Sequence, residues 1–210
     1  MFKLAVAFNF STLLVDNQME NEEKNTKGFI PTHGGFRNLF SYQKAEIIFD
    51  GTAYFTSRFF QKYDRTIGQM VQAARSGKQN IAEASMASGT SKEMEIKLTN
   101  VARASQAELL LDYEDFLRIR KLPIWDKDHR LVARLRELNK SVPKPSYETF
   151  RKAIEHENPE ICANTMITLI NITIYLLGQN VKKLEADFLK EGGLKERMTK
   201  ARLEIRKKKQ

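Results

Sequence analysis

The stretch from Ala73 to Glu95, AARSGKQNIAEASMASGTSKEME, decides between a nucleotide loop and a close-packed helix. Its Gly77-Lys78 pair suggests phosphate binding. A phosphate-binding loop needs a glycine five residues before that pair, a Ser or Thr after it, and a strand in front. Position 72 is Gln, position 79 is Gln, and the preceding TIGQMVQAA has helical patterning. The nucleotide reading fails on all three counts. A helical reading explains more. Met70, Ala74, Gly77, Ile81, Ala84 and Ser88 recur in steps of four and three, and so do Gln69, Ala73, Ser76, Asn80, Glu83 and Ala87. These are two adjacent heptad-like seams on one helix. Seams of small residues imply close approach on two sides, toward the short end of the usual ~8–10 Å between helix axes.

On this register Asn80 and Glu83 are at least partly buried. Buried polar groups need partners, because an unpaired one costs roughly 1–3 kcal/mol. Arg75 on the same helix and Arg103, Ser105 and Glu108 on the next complete a polar network that fixes helix register. No nucleophile, metal set or histidine converges on its carboxylates, so acid–base chemistry is not expected there.

Working outward, helical periodicity dominates and strand alternation is absent. A first helix is expected from about Ser41 to Tyr63, a second from Arg65 to Ala87, and a break at SGTS. Thr90 followed by Glu93 reads as a capping box that opens the third helix, which stops at Pro123. Residues 124–157 read as an inserted helical flap, with Leu131, Leu135 and Leu138 on one stripe, a VPKP linker, and a short helix carrying Phe150 and Ile154. Asn158-Pro159 is an N-cap with proline at the first helical position. The helix it opens runs to about Lys190 and ends at Gly192-Gly193. That helix has no charged residue from Ile161 to Val181, long enough to span a bilayer. Its amides and threonines argue instead for a central helix or a subunit interface. The expected domains are an arm over 1–35, a four-helix bundle over 36–190 that includes the flap, and a basic tail over 191–210.

Composition fits this picture. The chain has 210 residues, 41% hydrophobic and 29% charged, as ordinary globular proteins do. One cysteine, Cys162, excludes an intramolecular disulfide and suits a reducing, cytoplasmic compartment. Three scattered histidines give no metal-ligand spacing, so no metal or cofactor is expected. The net charge is +9, of which +6 comes from nine Lys/Arg and three Asp/Glu after Leu189. The apolar start FKLAVAFNFSTLLV resembles a signal peptide but lacks a small-x-small cleavage site. Met19 opens a more ordinary cytosolic terminus, so residues 1–18 are expected to be a start-site artefact or dispensable extension.

At LFSYQKAEIIFDGTAYFT and GQMVQAARSGKQNIAEASMASGTSKEMEIKLTNVARASQAELLLDYEDFL the chain resembles the bacterial 23S rRNA intervening-sequence proteins. Relatives of that family include the accessory variability protein of diversity-generating retroelements. Arg75, Ser76, Asn80, Ile81, Ala82, Glu83, Ser105 and Glu108 occupy the family's patterned places. Gly77 stands where Ile is usual and Ala84 where Gly is usual. The resemblance covers about residues 36–120, and the last long helix more loosely. It implies an all-α, up-down antiparallel four-helix bundle that assembles into a ring, usually a pentamer, with no enzyme activity. Binding of structured RNA or of a reverse transcriptase is implied only through the relatives.

Two functional expectations follow. The first is an oligomeric nucleic-acid-binding scaffold, with RNA as the expected ligand. Its contacts would come from Lys195, Arg197, Lys200, Arg202, Arg206, Lys207, Lys208 and Lys209. No aromatic is interleaved with them, so sequence selectivity should be slight. The second is a protein-interaction hub in which Trp125 and Tyr147 of the flap anchor a partner such as a reverse transcriptase. An enzyme reading has only DKDHR (Asp126–Arg130), where Asp126 serves better as a helix cap.

Overall fold

Hydrophobic periodicity near 3.6 residues becomes helix throughout, and no strand occurs among the described residues. The computed structural model describes Ile30 and residues 32–208. The expectation for residues 1–18, most of the N-terminal arm, and Lys209 lie outside them. A 3-10 turn at Phe36–Asn38 leads into α1 (Phe40–Phe59), α2 (Arg65–Ala87) and α3 (Lys92–Ile119). The inserted segment supplies α4 (Arg130–Ser141) and α5 (Tyr147–Ile154), followed by α6 (Pro159–Glu191) and α7 (Leu194–Lys208).

Several boundaries differ from expectation, each for a local reason. Helix α1 stops at Phe59, not Tyr63, because Phe60 turns extended and packs its ring 5.4 Å from that of Phe116. Tyr63 is left exposed. The cap of α3 is Ser91, which accepts from the Met94 amide at 3.1 Å, while the Thr90 hydroxyl donates back to the Ala87 carbonyl. Helix α3 ends before Pro123: Lys121 adopts φ 55°, and the Leu122 amide closes onto the Leu117 carbonyl at 2.9 Å. Asp126 does not cap α4. His129 does, its Nδ1 accepting from the Leu131 amide, while Asp126 accepts from the Asp128 amide in the preceding turn. Asn158 caps α6 as its spacing predicts, accepting from the Glu160 amide at 2.8 Å.

Four long helices pack in a closed cycle: α1 on α2, α2 on α3, α3 on α6 and α6 on α1. Their shared core is built from Ile48, Phe55, Met70, Leu109, Tyr113, Leu117 and Met166. The short helices have a definite job. Helix α4 lies on α6, and α5 lies on both α6 and α1. Every residue of α6 from Cys162 to Ile170 is consequently buried. Past that coverage one face emerges, and Asn171, Tyr175 and Gln179 are exposed. Among the described residues, α6 holds the one stretch long and apolar enough to cross a membrane, and most of that apolar window is buried. Its threonines do not need tertiary partners. Thr165, Thr168 and Thr173 each donate to the carbonyl four residues back, at 2.7, 2.8 and 2.9 Å.

The two seams of α2 behave unequally. Met70, Ala74, Gly77, Ile81 and Ala84 of the first seam are buried. Of the second, Ala73 is buried, Ser76, Asn80 and Ala87 are half-buried, and Gln69 and Glu83 are exposed. The closest approach is at Gly77. A β-carbon there would meet the Gln106 side chain of α3, with Cδ at 3.1 Å and Cγ at 3.3 Å as well as its Nε2. Gln106 is fully buried, so it has little room to move. Gly77→Ala gains about 1 kcal/mol of helix propensity but overpacks the seam by roughly 1–3 kcal/mol, a net loss of about 1 kcal/mol. In a Gln106→Ala background the clash is gone, and the same change should stabilise by about 1 kcal/mol. Urea melts of the two single variants and the double variant measure this sign reversal.

Candidate functional site

The predicted polar network is smaller than expected. The hydroxyls of Ser76 and Ser105 share a hydrogen bond of 3.0 Å across the α2–α3 interface. Asn80 Nδ2 donates to the Ser76 carbonyl at 2.9 Å and to its hydroxyl at 3.1 Å. Arg75, Glu83, Arg103 and Glu108 are all exposed and do not join. The reason is angular. Asn80 sits one turn from Ser76 and can satisfy its amide on its own helix, whereas Glu83 lies further round toward solvent. The expected burial of Glu83 is therefore corrected within the single chain.

The flap's two aromatics turn inward. Trp125 donates its indole N–H to Glu160 at 2.8 Å, and its ring stacks on His129 with centroids 4.3 Å apart. Its backbone amide donates to Asn164 Oδ1 at 2.8 Å, and Asn164 Nδ2 returns a bond to the Pro123 carbonyl at 3.0 Å. Tyr147 donates to Glu155 at 3.1 Å and packs against the core. Burial and the neighbouring carboxylate push its phenol well above the ordinary range. Both rings are half-buried and already hydrogen-bonded within the chain.

The tail forms a helix with one fixed point. Gly192, at φ 71°, separates α6 from α7, and the Gly193 amide donates to Glu196 at 2.8 Å. Arg197 is half-buried and donates to the Gly89 carbonyl at 3.2 Å, tying α7 to the turn between α2 and α3. Lys195, Lys200, Arg202, Arg206, Lys207 and Lys208 are exposed. Arg197 is thus a clamp, and the other six are available to a ligand.

Groups that could do chemistry are few. Cys162 donates its thiol to the Ile154 carbonyl, and burial pushes its pKa up to about 12, which holds it as an inert thiol. Tyr113 is fully buried with its hydroxyl on Thr52 at 3.1 Å. Among the described residues, no group of three His, Cys, Asp or Glu side chains is arranged to hold a metal.

Sequence reasoning missed Lys44. It is only 3% exposed, its ammonium has no hydrogen-bond partner, and it lies 5.2 Å from the Phe150 ring centroid beneath α5. The signal was present: Lys44 flanks the Ser41, Ala45, Ile48 stripe, so a short helix laid beside that stripe would cover it. Burial lowers its pKa from the ordinary 10.5 to about 8.

Comparison with protein-family models, with curated proteins and with solved structures finds no match.

Lys44 gives a pH signature. Its folded pKa is below its unfolded one, so the unfolded chain holds the proton more tightly and ionisation opposes folding. This term should make stability rise as pH climbs from about 8 toward 10.5. Lys44→Met keeps the stem and removes the charge. It should stabilise the protein by about 1 kcal/mol at pH 7, with the gain vanishing above the window. Denaturant midpoints of both proteins between neutral and alkaline pH check the difference, which cancels the opposing terms from Cys162 and Tyr113.

Proposed function

We propose that the four long helices form an up-down antiparallel bundle, that the protein is related to the intervening-sequence family it resembles, and that it acts as a non-enzymatic, self-associating scaffold for RNA. The observation that carries this reading is the charge distribution on α7: six exposed cations on one helix tethered to the body by Arg197. A tethered helix holds its charges in a fixed array, which loses less freedom on binding than a loose tail. Phosphates are the natural complement of such an array, because each neutralised phosphate releases counterions.

Self-association draws on the outer faces of α3 and α6. Met94, Val101 and Leu111 are exposed on α3, and Tyr175 on α6, near a groove that Arg103, Gln179 and Lys182 also line. Joining several copies would multiply weak tail sites through effective concentration. A pentamer is the assembly the resemblance implies. The hub reading, with a reverse transcriptase as partner, has less support, since the hydrogen-bonding groups of Trp125 and Tyr147 are spent inside the chain.

Fluorescence anisotropy with a structured RNA is the test. Six contacts predict a slope of log affinity against log salt of about −4 to −5. Deleting residues 194–210 should abolish binding near physiological salt; unchanged binding by the truncated chain would refute the tail as the ligand surface. Native mass spectrometry, before and after nuclease, reports copy number and co-bound RNA together.

A further inference from the structure

A cavity of about 330 Å³ opens where α1 and α3 begin and α2 and the uncharged part of α6 end. Its apolar wall is Ile81, Ala84, Leu177 and Leu184. A backbone strap borders it at Gly34, held by a pair of 3.0 Å bonds: the Gly34 amide to the Ser85 carbonyl, and the Ser85 hydroxyl to the Gly34 carbonyl. The exposed Lys183 lies on its solvent side.

The polar groups of this cavity are of both signs and unequally satisfied. Leu39 precedes α1 and offers no capping side chain, and no acid lies in the helix's first turn. The positive end of this 20-residue helix therefore has neither a capping side chain nor an acid of its own. Ser41 in that turn lines the cavity, is 2% exposed, and its hydroxyl has no partner. Lys44, one turn on, does not line the cavity; its ammonium lies over the Phe150 ring. A buried orphan such as the Ser41 hydroxyl is rare in folded proteins and points to a missing partner. The α1 end of the cavity is suited to an anionic group. The α3 and α6 sides contribute both signs, a lysine beside a carboxylate on each. Glu95 is paired with Lys92 at 2.7 Å, with side chains only 14% and 19% exposed, and Asp187 stands with Lys183 on α6. A compact dianion would meet carboxylates as well as lysines on these walls, whereas a zwitterion can match both signs.

We propose that this cavity binds a small zwitterion of the α-amino-acid class. Its carboxylate lies at the uncapped start of α1 beside Ser41, its ammonium faces Glu95 and Asp187, and its apolar side chain rests on Ile81, Leu177 and Leu184. This site is separate from α7 and does not depend on the RNA reading.

Calorimetric titration of the full chain tests it with L-leucine, L-phenylalanine, isocaproate, isoamylamine and inorganic phosphate. Saturable binding of an amino acid is expected, with a loss of about tenfold or more when either charged group is absent. Ser41→Ala should weaken that binding about tenfold while leaving the melting temperature unchanged or higher, because it removes an unpartnered hydroxyl. Lys62→Ala, exposed in the turn between α1 and α2 and outside the cavity lining, should leave both the helical circular-dichroism signal and amino-acid binding unchanged and serves as the folded control. The proposal is overturned if neither amino acid binds saturably by about 10 mM, a concentration equivalent to under 3 kcal/mol of affinity. It is equally overturned if phosphate binds as tightly as the amino acid, or if Ser41→Ala has no effect.

Discussion

The absence of one β-carbon, at Gly77, lets α2 settle onto a fully buried glutamine of α3. That contact sets the spacing of the α2–α3 interface. With α2 and α3 drawn together, the Ser76 and Ser105 hydroxyls come within bonding distance, and Ala73 and Ala74 are buried. The four-helix cycle then closes through α1 and α6 on the opposite side. A larger residue at position 77 would force the glutamine aside in a core with no spare volume. Small residues are what this interface selects, because shape rather than chemistry sets the spacing.

The fold was readable because its signals are local. The Asn158-Pro159 start, the Gly192 stop and the inward seam of α2 depend on neighbours within a few residues, and all three are where the patterning places them. The misplaced features depend on tertiary competition. Phe60 leaves its helix to fill space beside Phe116, which no local rule foresees. Glu83 was assigned to a seam by spacing alone, but only part of that second seam, Ala73 with Ser76, Asn80 and Ala87, turns away from solvent. Trp125 and Tyr147 read as surface anchors because exposed aromatics are common at interfaces, and periodicity does not say that Glu160 and Glu155 wait beneath them. Lys44 was missed for a related reason: it flanks an apolar stripe, but its burial is imposed by α5, a hundred residues further along the chain.

The inserted segment changes how the longest helix should be understood. A helix uncharged over its apolar run normally faces lipid, a partner or a core. Here α4 and α5 convert the first half of that run into core, and leave the second half with Tyr175 and its amide neighbours facing out. The two halves have different occupations. One is structural, and the other is the part of α6 on which the proposed self-association relies.

Every side-chain hydrogen bond that α6 makes to another element lies between Glu160 and Asn164, among the described residues. Beyond that point its threonine hydroxyls are satisfied along its own backbone, and its packing on the neighbouring helices is greasy and non-directional. Mechanically it is a rod riveted at one end and greased along the rest. Rotation or axial slip at the far end breaks no directional bond of α6 itself, and the Arg197 clamp on α7 is the one directional restraint described near that end. That compliant end is also where Leu177 and Leu184 line the cavity, so a guest seated there would grip the only part of the rod that is free to give.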